Sequence, residues 1–263
     1  MALLELTAHS QALRRNIDFL AILPEDTSGM IGMNGKGGKK CPTLYLLHGM
    51  SDDHTIWLRR TNIERYAADK GLAVIMPSTD LGFYTDMAKG EPYWTFISKE
   101  LPKMCRSMFP QLSSRREDTF VAGLSMGGYG ALKCGLRASE TFSWAAGLSS
   151  VADIAQTANA PTLAGRHYWE DILGEPEKAK SSFNDLFAAA EDMAKGKKKP
   201  VQLFMWCGTD DFLYDQNIRL RDHLKKLGLP LTYTESPGGH WWSFWDEQIQ
   251  NVLNWLPLGK EEE

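Results

Sequence analysis

A chain of 263 residues, 43% hydrophobic and 24% charged, can bury one sizeable core, and its formal net charge of -4 excludes the basic face that nucleic-acid binding requires. Its apolar runs, such as Leu72 to Met76, are far shorter than the roughly 20 residues that span a bilayer, so no membrane association is expected. Cys41, Cys105, Cys134 and Cys207 have neither metal-ligand spacing nor the density of a disulfide scaffold, and Met1-Ala2-Leu3-Leu4-Glu5 lacks the unbroken apolar core of an export signal; free thiols and a cytoplasmic location are expected.

Apolar and polar residues partly alternate from Leu3 to Leu23, which predicts two antiparallel strands at a sheet edge. Gly29 to Lys40 is rich in glycine and lysine and predicts a mobile loop. No G-x-x-x-x-G-K-[ST] pattern can be laid on it, so nucleotide binding is rejected. Thr43 to Leu47 is a strand ending in His48-Gly49-Met50, with a helical pattern over Ile56 to Lys70. Leu72 to Met76 is a buried strand closed by Pro77, and Glu91 to Phe109 predicts a helix. Between them lies Gly82-Phe83-Tyr84-Thr85-Asp86. Loops after strands carry ligand contacts in open α/β sheets, so Trp57, Tyr84 and Trp94, with Trp241 farther on, are candidate pocket residues.

The most informative stretch is Thr119 to Ala131. An apolar β-type run ends in Gly123-Leu124-Ser125-Met126-Gly127 and passes at once into helix-forming residues, the strand, sharp turn and helix of a G-x-S-x-G nucleophile elbow. Ser125 is the candidate nucleophile. Gly123 and Gly127 leave room for strand and helix to approach, and the Met126 amide at the start of the helix faces the place where an oxyanion would form. The second oxyanion donor is expected from the backbone of Gly49 or Met50, with His48 orienting that loop rather than acting as a base.

Phe142 to Leu148 is the next strand. The less regular region around 150-196, with Tyr168, Trp169 and a helix near Leu186 to Lys195, predicts a small cap inserted into one α/β domain spanning 1-263. Val201 to Gly208 is a strand followed by Thr209-Asp210-Asp211, where a triad acid belongs; Asp210 and Asp211 are both candidates. Asp215 reads as a helix cap. Leu231 to Thr234 is a final strand, and Gly238-Gly239-His240 puts a histidine on a loop before a helix over Phe244 to Trp255. Ser125, an aspartate and His240 follow in the order that α/β-hydrolases use, each just beyond a strand. His9, His54, His167 and His223 suit ordinary surface or core roles.

Leu46 to Ser51, Trp57 to Asn62, Tyr84-Thr85-Asp86, Gly123 to Gly130, Trp206-Cys207-Gly208 with Asp211 to Tyr214, and Gly239-His240 together resemble the bacterial tributyrin esterases. These belong to the wider group of esterase D, S-formylglutathione hydrolase and the feruloyl and acetylxylan esterases. The resemblance implies an α/β-hydrolase fold with a mostly parallel sheet, helices on both faces and antiparallel N-terminal edge strands. It also implies a Ser125, Asp211, His240 triad, short acyl esters as substrates and no cofactor. No H-E-x-x-H or clustered ligand set suggests a metal. The alternatives are a feruloyl or acetyl-sugar esterase, a thioesterase of the S-formylglutathione hydrolase kind, and an acyltransferase on the same triad. A catalytically silent binding module is the reading that an intact triad opposes. Exposed aromatics would suit a homo-oligomer interface as well as a pocket.

Overall fold

The computed structural model describes residues 1-27, 29-31, 40-160, 164-196 and 199-258, so the glycine-lysine loop over 29-40 lies for the most part outside the described residues. Strand β1 (Ala2–Ser10) alternates half-buried and exposed residues, as an outermost strand with one wet face should, whereas β2 (Arg15–Leu23) ends in five consecutive buried residues. The two pair antiparallel from Ala2 opposite Leu23 to Ser10 opposite Arg15. The turn between them is tied down by Glu100, whose carboxylate accepts from Ser10 Oγ at 2.6 Å, the Gln11 amide at 2.6 Å and the Ala12 amide at 3.1 Å.

Strands β3 (Thr43–Leu47), β4 (Ala73–Pro77) and β5 (Thr119–Leu124) are buried throughout, the pattern of a parallel sheet covered on both faces. With β6 (Trp144–Leu148), β7 (Gln202–Gly208) and β8 (Leu231–Ser236) they complete a sheet of eight strands among the described residues, ordered β1-β2-β4-β3-β5-β6-β7-β8. β2 runs antiparallel to β4, and every later pairing is parallel. This is the α/β-hydrolase fold.

The predicted helix over Ile56 to Lys70 is two short pieces, α1 (Ile56–Arg60) and α2 (Ile63–Ala68), because the extended backbone of Thr61 interrupts it. The helix over Glu91 to Phe109 begins as α3 (Tyr93–Thr95), widens into a π turn at Phe96–Glu100 and continues as α4 (Leu101–Met108). Pro102, lacking an amide hydrogen, follows that turn and removes the bond that regular α geometry would need there. After β5 come α5 (Met126–Arg137), α6 (Ile154–Asn159), α7 (Arg166–Leu173), α8 (Leu186–Ala194), α9 (Tyr214–Lys226) and α10 (Trp242–Trp255). Asp215 does not cap α9. It lies within the first turn, where its charge opposes the positive helix end.

Two apolar clusters flank the sheet. Tyr45, Leu47 and Val121 point into one with α5 and the loops that follow β4 and β6; Leu44, Leu46, Phe120 and Ala122 point into the other with Trp57, Trp206 and Trp245. Alternation along β3 and β5 sends successive side chains to opposite layers and leaves the strand ends at one edge, where the candidate site residues gather.

Candidate active site

Ser125 occupies the turn between β5 and α5 with φ 54° and ψ -117°, a conformation that a residue with a side chain adopts only when its surroundings impose it. Those surroundings are visible. The Ser125 amide donates to Leu148 O at 2.9 Å, and its carbonyl accepts from Tyr129 N and Val151 N. A Cβ on Gly123 would overlap the backbone of Gly127, and one on Gly127 would overlap the carbonyl oxygens of Leu47 and His48. Only glycines let β5, α5 and the end of β3 come this close.

His240 sits on the loop before α10 with Nε2 3.0 Å from Ser125 Oγ and Nδ1 2.9 Å from Asp211 Oδ2. The carboxylate can only accept from Nδ1–H, which fixes the tautomer: Nε2 carries the lone pair and accepts from the serine hydroxyl. The Asp211 side chain is fully buried, and its other oxygen accepts from the Leu213 amide at 2.9 Å. The Asp210 carboxylate points elsewhere, accepting from the Gly238 amide at 3.2 Å, so of the two neighbouring acids only Asp211 meets the histidine. Trp245 meets the His240 ring edge to face at 4.8 Å and Phe212 packs against it at 4.7 Å, which narrows the orientations the imidazole can take. Trp245 in turn donates its indole N–H to Ser149 Oγ.

The serine and histidine open on a cavity of about 420 Å³ whose walls include Met50, Leu81, Phe83, Met126, Trp169 and Phe212. Met126 begins α5, so its amide has no partner from a preceding helical turn. Of the two residues expected to supply the other donor, Met50 lines the cavity and Gly49 does not: a Cβ on Gly49 would meet Leu124 Cδ1 at 2.6 Å, and its carbonyl accepts from His48 Nδ1 at 2.8 Å. His48 is buried, and burial holds its pKa below the ordinary histidine value. Its Nδ1–H donates to Gly49 O while Nε2 accepts from the Thr79 amide at 3.0 Å. Both nitrogens are occupied in holding the loop, leaving none to act as a base. Among the described residues no group of three or more His, Cys, Asp or Glu is arranged to hold a metal ion.

None of the four aromatic residues expected in the pocket lines it. Trp57 is buried on the opposite side of the sheet, donating its indole N–H to Leu47 O at 2.9 Å. Tyr84 is fully buried and donates its hydroxyl to His48 O at 2.9 Å. Trp94 packs against Phe183 and the Lys133 ammonium, and Trp241 is 68% exposed at the start of α10. The walls come instead from Leu81 and Phe83 on the loop after β4, Val151 and Thr157 after β6, Trp169 on α7, and Phe212. Phe83 and Tyr84 both have positive φ, 51° and 49°, and this pair of left-handed residues sends the tyrosine inward. Neighbours on a loop alternate in no fixed way, so sequence gave no means of choosing between them.

Comparison with known proteins identifies the family. The Esterase family model, described as "Putative esterase", matches residues 10-256. The chain is 34% identical to an acetyl esterase of Caldicellulosiruptor saccharolyticus over 97% of its own length and 98% of that protein. Its fold superposes with a TM-score of 0.88 on the substrate-bound fluorophosphonate-binding serine hydrolase FphF of Staphylococcus aureus, at 34% identity and with 97% and 98% of the two chains covered. An S-formylglutathione hydrolase (FrmB) of S. aureus is similar with a TM-score of 0.85 at 34% identity and the same coverage. The chain thus belongs to the Esterase family and is a carboxylic ester hydrolase.

Proposed function

We propose that this esterase hydrolyses short-chain acyl esters through an acyl-enzyme, in the manner of the tributyrin esterases, with Ser125 as nucleophile, His240 as general base and acid, and Asp211 holding the imidazole. The observation that carries the reading is the unbroken line from Asp211 Oδ2 through His240 to Ser125 Oγ, 2.9 and 3.0 Å, ending at a largely apolar cavity. As Ser125 Oγ attacks the ester carbonyl, its proton passes to His240 Nε2, and the carbonyl π electrons move onto oxygen. The Met126 and Met50 amides stabilise that oxyanion. Collapse expels the alcohol, which takes the proton from His240. Water then attacks the acyl-serine by the same sequence, releasing the acid and restoring the serine hydroxyl. The buried Asp211 carboxylate favours the imidazolium at each transfer.

The reading takes the chain as one domain with a small cap around 150-196. It includes a cytoplasmic setting, in keeping with four buried cysteines that are all free thiols. A second reading, a thioesterase of the S-formylglutathione hydrolase kind, has the likeness to FrmB behind it, since the same acyl-enzyme forms from a thioester with a thiol as leaving group.

The test is labelling with a fluorophosphonate, followed by turnover of p-nitrophenyl acetate, butyrate and octanoate beside a folded Ser125→Ala variant. Loss of a triad nucleophile removes on the order of a millionfold in turnover. Labelling of Ser125, background activity in the variant and a preference for acetate or butyrate are expected. Equal activity in both proteins would overturn the assignment, and turnover of S-formylglutathione far above that of the oxoesters would favour the second reading.

A further inference from the structure

Lys133 lies on α5 about two turns beyond Ser125 and has no exposed surface. Its ammonium donates to Tyr84 O at 3.0 Å and to Asn184 Oδ1 at 2.6 Å, and lies 4.7 Å from the Trp94 ring centre, 5.4 Å from that of Phe183 and 5.5 Å from that of Tyr129. Burial pushes its pKa down to about 7, opposed by the charge of Asp86. Among the described residues no carboxylate lies within ion-pair distance of it. Burying the charged form of an amine without such a partner carries a desolvation penalty, and an apolar side chain of the same length would pack there without it. Packing alone therefore does not account for a lysine at this position.

Its partner explains more. Tyr84 and Phe83 are consecutive residues with positive φ, a strained backbone that persists only where other contacts impose it. Tyr84 is held at both ends: its carbonyl by Lys133, and its hydroxyl by donation to His48 O at 2.9 Å, with its ring against Gly130 on α5. The His48 carbonyl stands two residues before Met50, whose amide is the second oxyanion donor of the mechanism above.

We infer that Lys133 is a positioning residue for oxyanion stabilisation, acting through Tyr84 to fix the His48-Gly49-Met50 turn against the elbow helix. The inference rests on the serine-esterase reading. Because a displaced oxyanion donor is felt at the transition state and hardly in the ground state, the effect belongs in kcat and in the affinity for tetrahedral adducts, not in KM.

The experiment compares the wild type with Lys133→Met, Tyr84→Phe and the double variant, using p-nitrophenyl acetate, whose small acyl group is insensitive to the cavity walls, and n-butylboronic acid as a tetrahedral mimic. Each single variant is expected to lose on the order of tenfold in kcat, with KM changed less than about twofold and boronic acid affinity weakened by the same factor as kcat. The double variant should be no more than about twofold worse than the weaker single one, because both act on one linkage. Wild-type kcat in folded variants, a loss confined to KM, or losses that multiply would overturn the inference. Should Lys133→Met fail to fold, Tyr84→Phe, which keeps the ring on Gly130 and removes one hydroxyl, decides by the same criteria. A wild type that a fluorophosphonate does not label would overturn this inference together with the reading beneath it; labelled wild type with unaffected variants overturns the inference alone.

Discussion

The rings of Phe83 and Trp169 meet with centroids 5.0 Å apart and planes 62° from each other, joining the loop after β4 to helix α7 in the wall of the active-site cavity. The Tyr168 hydroxyl reinforces the junction by donating to Leu81 O at 2.8 Å. On the proposed reading, the size of the acyl group admitted depends on how two segments distant in sequence pack together.

Trimming that wall should change selectivity. Trp169→Leu is expected to raise octanoate turnover relative to acetate by about tenfold, since one or a few methylenes in an apolar pocket are worth about 1–3 kcal/mol. The variant should also lose about 2–4 kcal/mol of stability, as trimming a buried tryptophan leaves unfilled space. Chain-length profiles and denaturant unfolding check both, and an unaltered octanoate-to-acetate ratio would mean the acyl group does not reach Trp169.

The two adjacent aspartates should separate cleanly. Asp211→Asn is expected to lower kcat by about four orders of magnitude, because an amide opposite Nδ1 favours the wrong imidazole tautomer. Asp210→Asn should cost less than about tenfold, its carboxylate accepting from the Gly238 amide and, among the described residues, not meeting His240. Steady-state kinetics of both variants decide, and comparable losses would refute the distinction.

Gly127→Ala is expected to disrupt the elbow. The added methyl would meet the backbone oxygens of Leu47 and His48, which cannot swing aside as a flexible side chain could. Overpacking of this kind costs about 1–3 kcal/mol or more, so a clear drop in Tm together with lost turnover is expected. Wild-type Tm and activity would show that β3 and α5 can move apart.

His48 should make the protein sensitive to acid. Burial lowers its folded-state pKa below the ordinary 6.5, so between those two values the unfolded chain binds more protons than the folded one. Stability is then complete above about pH 6.5 and declines as pH falls through that window, by at most about 1.4 kcal/mol per pH unit from this group. Protonation would also remove the acceptor for the Thr79 amide. Tm measured from pH 8 to pH 5 should fall more steeply for the wild type than for His48→Asn, and parallel curves would exclude His48 as the source.

Lys133 illustrates what sequence reading could not reach. On α5 it falls in the helical run Gly130-Ala131-Leu132-Lys133-Cys134, and a lysine in a surface helix is ordinarily solvated. Only the packing of Trp94, Tyr129 and Phe183 around it reveals a buried cation. The same holds for Trp245, which reads as an apolar position of α10 until its ring is seen against His240. Trp57, by contrast, looked like a pocket residue because it follows the His48 loop, yet its helix turns it to the far side of the sheet.

The sequence by itself determined the fold class and pointed to the residues proposed to react. A parallel α/β sheet follows from short apolar runs alternating with helical patterns, and the elbow from glycines on either side of Ser125, because both depend on chemistry within a few residues of each other. Only the tertiary structure showed that Asp211, the acid the resemblance implied, rather than Asp210 meets His240, and that Met50 and Phe83 rather than Gly49 and Tyr84 line the cavity. Each of those choices turns on where one backbone torsion sends a side chain or an amide relative to segments far along the chain, and no local pattern encodes that direction.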